Sequence, residues 1–331
     1  FKSPNFISQN GFVLTSFEPF LTIFDGEGFT INQEDEGLKF RTYTSFNREL
    51  LEGKEFLTFK EKYNASLAKY ISKDVLLVWG GMDLEKQLKR IADVLGKGSE
   101  ASLIIFDGIL EAQKDIYLGK EVSLKDDVYP LIKNEFMIAI HDGEVPMVQV
   151  VLELEDEADD LEKVKKIVAG FVKENAIFKP ELREIELEDG TKGQEIVGVP
   201  EDLTQSESEY EGQKIHSISL GSKAWGIYYI IKDQKLILAS AKEIIEKVID
   251  GEGDNLNDSE LFRENIRPVL RHADELSYIN LKKLLPHIWP TVEEGGEGNI
   301  TQLYLDPFYS VSSGKNYFSD GISTIHYIYL K

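Results

Sequence analysis

Short strand-like segments follow one another along most of this sequence, often with only a few turn residues between them. Runs of β-branched and aromatic residues such as 225–231 and 322–330 favour strands. Lys232-Asp233 and Asp189-Gly190 are typical of the turns that join neighbouring strands. No glycine-rich turn joins a strand to a helix in the Rossmann manner. Because the segments form a meander and not a regular strand–helix alternation, they predict a mainly antiparallel architecture.

Helices are predicted in groups between these strands, wherever apolar residues recur at three- and four-residue spacings. The predicted helices cover 56–70, 84–95, 102–118, 124–132, 159–172, 241–249, 259–270 and 281–288. The predicted strands include 12–24, 28–31, 38–46, 75–79, 136–141, 147–154, 183–187, 195–199, 215–220, 225–231, 235–240, 276–279, 300–312 and 322–330. Gly80-Gly81 is expected to end the strand at 75–79, and the polar stretch 200–213 is expected to be an exposed loop. The predicted fold class is therefore α+β, with mainly antiparallel curved sheets and grouped helices.

Two windows about 200 residues apart carry the same pattern, which indicates an internal repeat. In windows 59–84 and 262–281, a Phe and a Leu eight positions apart precede an Asp, a strand, an Asx residue and a helix. This pattern predicts two related α+β units, 1–145 and 146–331. The alternative is a coincidence, since element order alone recurs among α+β proteins.

The net charge and the absence of cysteine exclude several classes of partner and site. Lys plus Arg number 37 and Asp plus Glu number 59, which gives a net charge of −22. This charge repels nucleic-acid phosphates and anionic membrane surfaces, so no nucleic-acid partner is predicted. With no cysteine, the chain has no disulfides, thiolate nucleophiles, zinc fingers or iron–sulfur sites. The excess acid lies in 153–160, 201–211, 250–260 and 293–297, which indicates a solubilising surface.

The sequence contains none of the common catalytic motifs. The five histidines show no metal-ligand spacing, and neither a G-x-S-x-G elbow nor a P-loop occurs. No catalytic residue is therefore assigned, and the chain is predicted not to be an enzyme. An enzyme with dispersed carboxylates is an alternative, which requires two carboxylates in a cleft and a raised pKa on at least one of them.

An acidic, glycine-containing loop is the one candidate cation site. Oxygen ligands at alternate positions suit Ca²⁺, and the candidate ligands are Asp250, Glu252, Asp254 and Asp258. An EF-hand loop beginning at Asp250 would require Gly and Glu where the sequence has Asn255 and Leu261. The alternative is a solvated loop in which Asn257 caps the following helix. No other cofactor is predicted.

Aromatic residues are concentrated in the strand-rich C-terminal third. Four of them are candidates for a ligand-binding or partner-binding surface: Trp225, Tyr228, Tyr304 and Tyr309. The alternative is that they pack within the sheet, because aromatic residues favour strands in general.

Several segments resemble the bacterial DUF3352 family. Residues 118–132 resemble its helix of pattern "G-x-x-L-x-x-D-hydrophobic-x-P-hydrophobic", which in that family precedes a strand like 135–140. Residues 148–168, 236–240 and 256–262 also resemble family segments, so that the resemblance covers roughly 60–330. At 72–75 the sequence has Ser-Lys-Asp-Val where the family usually has Leu-Pro-Ala-Asp.

This resemblance implies an uncharacterised protein held at the bacterial envelope by an N-terminal hydrophobic segment, and it supplies no catalytic residues. We therefore expect a non-enzymatic, extracytoplasmic module that binds or scaffolds a protein or another envelope component. Its membrane anchor is expected in a segment that precedes Phe1. The absence of cysteine agrees with an exported protein. The alternative is a carrier or sensor of a hydrophobic ligand held between sheet and helices, which requires an enclosed apolar cavity of at least ~300 Å³.

Overall fold

The strands and helices are taken from a computed structural model that describes residues 24–34, 36–47, 63–87, 100–143, 145–174, 179–186, 192–199, 203–220, 225–251, 255–270, 273–288, 306–318 and 321–330. The strands in these ranges are β1 (Phe24–Glu34), β2 (Gly37–Phe46), β3 (Val75–Met82), β4 (Glu135–His141), β5 (Met147–Glu153), β6 (Lys179–Glu186), β7 (Lys192–Val199), β8 (Leu203–Tyr210), β9 (Gln213–Leu220), β10 (Trp225–Lys232), β11 (Lys235–Ala239), β12 (Glu275–Asn280), β13 (Phe308–Phe318) and β14 (Gly321–Leu330). The α-helices described over their whole length are α1 (Glu100–Leu118), α2 (Glu157–Glu174), α3 (Lys242–Asp250), α4 (Glu260–Leu270) and α5 (Leu281–Ile288). Residues 84–87 are also helical.

Twelve of these strands form one sheet in the order β1-β2-β14-β13-β12-β3-β4-β5-β11-β10-β9-β8. Every neighbouring pair in it is antiparallel. Strands β6 and β7 form a separate antiparallel hairpin. The α+β class and the antiparallel pairing are therefore confirmed. The sheet combines strands from both predicted units, 1–145 and 146–331.

The sheet has an apolar core on each face. Side chains alternate along a strand, so Ile237 of β11 packs into one core and its neighbour Leu236 into the other. The first core includes buried residues of α3 and α4 and of the turn Ser66–Tyr70. Within it, the rings of Phe262 and Tyr278 meet edge to face at 5.1 Å. The second core lies between the opposite face and α2.

Most predicted elements are confirmed, including the strands at 38–46, 136–141 and 322–330 and the helices at 102–118, 159–172 and 259–270. The predicted helix at 56–70 is wrong at its C-terminal end, where Ser66–Tyr70 forms a single 3₁₀ turn. Its residues 56–62, like most of the predicted strand 12–24, lie outside the described ranges. Of the helices that the structure describes, none is both long and apolar enough to cross a bilayer.

The predicted loop at 200–213 is wrong, because residues 203–210 form the edge strand β8. The side chains from Thr204 to Glu209 are all exposed, so the strand shows no alternation of apolar and polar residues. The strand is held to β9 by polar side-chain contacts as well as by backbone pairing. The hydroxyls of Ser206 and Ser217 are 2.7 Å apart, and Glu207 Oε1 lies 3.2 Å from His216 Nδ1. An exposed edge strand can be stable without an apolar face of its own.

The predicted strand end at Gly80-Gly81 is also wrong, because β3 continues through both glycines to Met82. A Cβ atom at Gly80 would overlap the hydroxyl of Tyr63 and lie 3.0 Å from the carbonyl oxygen of Phe136. The glycine thus makes room for a buried tyrosine that packs directly on the strand, which is a common reason for glycine within a sheet.

Candidate functional site

A large apolar cavity lies between α2 and the sheet. Its volume is about 1010 Å³, at the upper end of the range of ligand pockets. The floor is formed by β5, β10 and β11, and the roof by α2 and the turns over 124–132. Its apolar lining includes Val150, Leu236 and Leu238 on the floor and Val164, Val168 and Phe171 on the roof.

The sequence builds this cavity from two simple patterns. In α2, apolar residues recur at three- and four-residue spacings, so that Val164, Val168 and Phe171 share the face that points to the sheet. In β11, Leu236 and Leu238 alternate with residues of the opposite core. The cavity exists because these two surfaces lie apart over part of their length.

The end of α1 closes one side of the cavity through a close helix contact. Gly170 of α2 lies against the end of α1, where a Cβ atom would overlap the carbonyl oxygen of Leu118. Leu118 in turn lines the cavity. The glycine therefore lets α1 approach α2 closely enough to contribute to the wall.

The cavity is open to solvent and not enclosed as expected, and its mouth lies between the β4–β5 loop and the start of α3. Val145 and Val148 line the cavity and are 74% and 43% exposed. Two hydrogen bonds join the two sides of the mouth: Ser240 N donates to the carbonyl oxygen of Val148, and Val148 N donates to Ser240 Oγ, each at 2.9 Å. The mouth is therefore lined by apolar side chains, and these two hydrogen bonds hold its two sides together.

Glu243 is the one charged side chain among the described residues that line the cavity. It is exposed, belongs to the first turn of α3 and makes no hydrogen bond or ion pair within the described part of the chain. The neighbouring Lys242 pairs instead with Glu246, at 2.8 Å. The cavity can thus take apolar surface out of water, with a single carboxylate at its mouth.

A buried histidine holds the strand that leads into the rim loop. His141, the last residue of β4, has its Nε2 atom 2.8 Å from Gln149 Oε1 of β5. Gln149 Nε2 donates to the carbonyl oxygen of Tyr70 at 2.8 Å. Burial lowers the pKa of His141, and the nearby Lys247 lowers it further, against the opposing effect of the Gln149 hydrogen bond. The neutral imidazole is therefore the form that fits this network.

This network predicts a pH dependence of stability. The unfolded chain binds the His141 proton more readily than the folded chain does, so folding should weaken as the pH falls below about 6.5. Urea unfolding at about pH 7.5 and about pH 5.5 measures the effect. A His141→Asn variant should lose less stability over this interval than the parent chain. Equal losses in the two proteins would contradict the prediction.

The contribution of Glu135 has the opposite sign and cancels in this comparison. Burial raises the pKa of Glu135 and repulsion by Glu153 raises it further, although hydrogen bonds from Ser66 Oγ and Leu67 N act against the shift. The charged form of Glu135 is therefore disfavoured in the folded chain, and falling pH relieves that cost.

An enzyme with dispersed carboxylates would require two carboxylates in a cleft, at least one with a raised pKa. Among the described residues, Glu135 and Glu153 resemble this arrangement most, because the pKa of Glu135 is raised and Glu153 contributes to the shift. Glu135 is buried beneath the turn Ser66–Tyr70, and Glu153 pairs with Lys235 at 2.9 Å. Neither residue lines the apolar cavity. Hydrogen bonds from Ser66 Oγ and Leu67 N to Glu135 hold the turn Ser66–Tyr70 against β4.

Two of the four candidate calcium ligands, Glu252 and Asp254, lie outside the described residues. Of the others, Asp250 accepts a hydrogen bond from the Tyr210 hydroxyl at 3.3 Å, and Asp258 accepts one from Asn255 Nδ2 at 2.6 Å. Among the residues that the structure describes, no three His, Asp or Glu side chains are grouped to hold a metal. The calcium site stays a prediction.

The helix cap predicted in the same loop is wrong. The side chain of Ser259, and not that of Asn257, caps α4, since Phe262 N donates to Ser259 Oγ at 3.3 Å.

The candidate aromatic residues lie on distant strands. Tyr228 of β10 packs against the first core, whereas the Tyr309 ring on β13 lies 6.2 Å from that of Tyr329 and beneath Lys282 Nζ at 4.5 Å. Strands β13 and β10 are six places apart in the sheet. The side chain of Trp225 and the whole of Tyr304 lie outside the described residues.

The sequence does not predict the cavity residues as a site, because each of their patterns also describes ordinary core packing. The amphipathic helix at 159–172 and the strands at 147–154 and 235–240 are predicted, but as elements of a core. The cavity depends on how far the helix lies from the strands, and the periodicity of apolar residues does not determine that distance.

Comparisons with protein-family models, with curated proteins and with solved structures each gave no match. The resemblance to the DUF3352 family rests on residues 118–132, 148–168, 236–240 and 256–262 and stays a prediction.

Proposed function

We propose that this protein binds an apolar ligand in the cavity between α2 and the sheet, as a carrier or sensor without catalytic activity. The observation that supports this function is the cavity itself, whose volume of about 1010 Å³ exceeds the ~300 Å³ that a ligand site needs. Its walls are formed almost entirely by aliphatic and aromatic side chains. The displacement of water from these walls by an apolar ligand is therefore favourable.

The binding of a neutral fluorescent naphthylamine, N-phenyl-1-naphthylamine, tests this function directly. Its fluorescence rises in apolar surroundings, so we expect a saturable increase with one probe molecule per chain. Mass spectrometry of the native protein, before and after extraction with an organic solvent, should reveal a retained apolar molecule. A chain that neither retains a ligand nor binds the probe would refute the proposal.

A second candidate function is a surface module of the bacterial envelope that binds a protein or another envelope component. The specific observation in its favour is that α1 exposes four large apolar side chains along its length: Ile104, Ile109, Ile116 and Tyr117. Exposed apolar groups of this kind often mark interaction sites. The resemblance to the DUF3352 family supports an extracytoplasmic location.

Cell fractionation and protease treatment of intact cells that express the full-length gene product test this second function. Digestion of the protein on intact cells would support the envelope location. Recovery of the intact protein in the cytoplasmic fraction would contradict it.

The strand order supports the further proposal of two related units. Strands β3 and β12 lie side by side at the centre, flanked by β4 and β5 on one side and by β13 and β14 on the other. Each set of three is extended by a hairpin from the other part of the chain, β10–β11 or β1–β2. The same order of hairpin, strand, strand and strand therefore occurs twice along the sequence, with the first set ending at β5 and thus beyond the predicted boundary between 145 and 146.

A further inference from the structure

We infer that the ligand of the cavity is an amphiphile whose headgroup is not anionic and donates a hydrogen bond to Glu243. This inference rests on the proposed function and specifies the chemistry of its ligand. It follows from the position of the carboxylate, from its lack of a partner and from the composition of the remaining wall.

The position of Glu243 places it where a headgroup must lie. The floor and roof of the cavity are apolar, so the chain of an amphiphile occupies the interior and its polar end faces the mouth. At the mouth, Val145 and Val148 are apolar, and Ser240 Oγ already accepts a hydrogen bond from Val148 N. Glu243 is thus the charged acceptor nearest to the polar end of a bound chain.

The charge of the described cavity wall disfavours an anionic head. Among the described residues that line the cavity, none is lysine or arginine. A fatty-acid carboxylate at the mouth would therefore be repelled by Glu243, within a chain whose net charge is −22. A hydroxyl or ammonium head would instead donate to a carboxylate that has no partner in the described part of the chain.

The test compares two competitors that differ only in the head. 1-Dodecanol and dodecanoate should displace N-phenyl-1-naphthylamine from the full chain at about pH 8, at which dodecanoate carries a negative charge. We expect dodecanol to compete at a concentration at least about tenfold lower than dodecanoate. The two concentrations are first corrected for the different partition of the two compounds between water and an apolar solvent.

Two substitutions at Glu243 and a matched control assign this preference to one residue. Glu243→Lys should reverse or abolish the preference for dodecanol, and Glu243→Gln should reduce it by a smaller factor. Glu260→Lys alters the net charge equally and lies in the first turn of α4, away from the cavity. It should leave the preference unchanged.

The outcomes separate this inference from the function on which it rests. Equal competition by the two compounds in the parent chain, or equal effects of Glu243→Lys and Glu260→Lys, would overturn the inference and leave the apolar site intact. Absence of any saturable probe binding would overturn both.

Discussion

A Leu238→Trp variant is expected to bind N-phenyl-1-naphthylamine at least about tenfold more weakly than the parent chain, a loss of about 1.4 kcal/mol. Leu238 lies on the cavity floor, where it is the register partner of Val150 in β5 and of Tyr229 in β10. An indole at this position projects towards α2 and takes up the space that the probe needs. Fluorescence titration of the two proteins under identical conditions measures the difference.

The same substitution should cost little stability, which distinguishes a blocked site from a damaged fold. Because the added ring enters a cavity, the free energy of unfolding should change by less than about 1.5 kcal/mol. Ile109→Trp is the matched control, since Ile109 is exposed on α1 and does not line the cavity. It should bind the probe as the parent chain does. A folded Leu238→Trp protein with unchanged probe affinity would contradict the prediction.

The parts of the fold that could be predicted are those whose side chains carry a periodic apolar signal. The helix at 159–172 and the strand at 322–330 are examples, because burial of one face fixes both their type and their position. Strand β8 carries no such signal, since its side chains are exposed and its stability comes from pairing with β9. Edge strands of this kind are defined by a partner that lies elsewhere in the sequence.

The candidate site is harder to predict than the fold because a cavity is a property of spacing. Val150, Val168 and Leu238 have the sequence pattern of core residues, and in a more closely packed protein they would touch. Glu243 is equally inconspicuous, as an acidic residue in the first turn of a helix is common and favourable in its own right. Its significance depends on the apolar wall beside it, which only the assembled structure shows.

Gly80 is required by a side chain that is distant in the sequence, although a Gly-Gly pair suggests a local turn. Paired glycines commonly end strands, but here β3 continues through Gly80 because Tyr63 packs on it. A Gly80→Ala substitution is expected to lower the free energy of unfolding by about 3 kcal/mol, the upper part of the range for overpacked cores. The reason is that the new methyl group would overlap the buried hydroxyl of Tyr63, and the carbonyl oxygen of Phe136 on the neighbouring strand, 3.0 Å away, leaves it no room to shift. Urea unfolding measures the change.

Gly28→Ala is the control for the loss of glycine itself. Gly28 also lies in a strand, β1, but a Cβ atom there would have no neighbour within 4 Å. The alanine should stabilise the chain slightly, by about 0.5 kcal/mol, because it restricts the unfolded state. A loss of similar size in the two variants would show that chain entropy or strand propensity, and not the contact with Tyr63, explains the effect at Gly80.

A Tyr63→Phe substitution should rescue part of the Gly80→Ala defect. The Tyr63 hydroxyl is the atom closest to the position that the alanine methyl group would take, and it is buried without a hydrogen-bond partner among the described residues. Its removal alone should therefore cost little, since it deletes an unsatisfied buried group. In the double variant the methyl group of alanine gains the space of the missing oxygen, so the two changes should be non-additive by at least about 1 kcal/mol. Strict additivity would mean that the strand backbone, and not Tyr63, rejects the alanine.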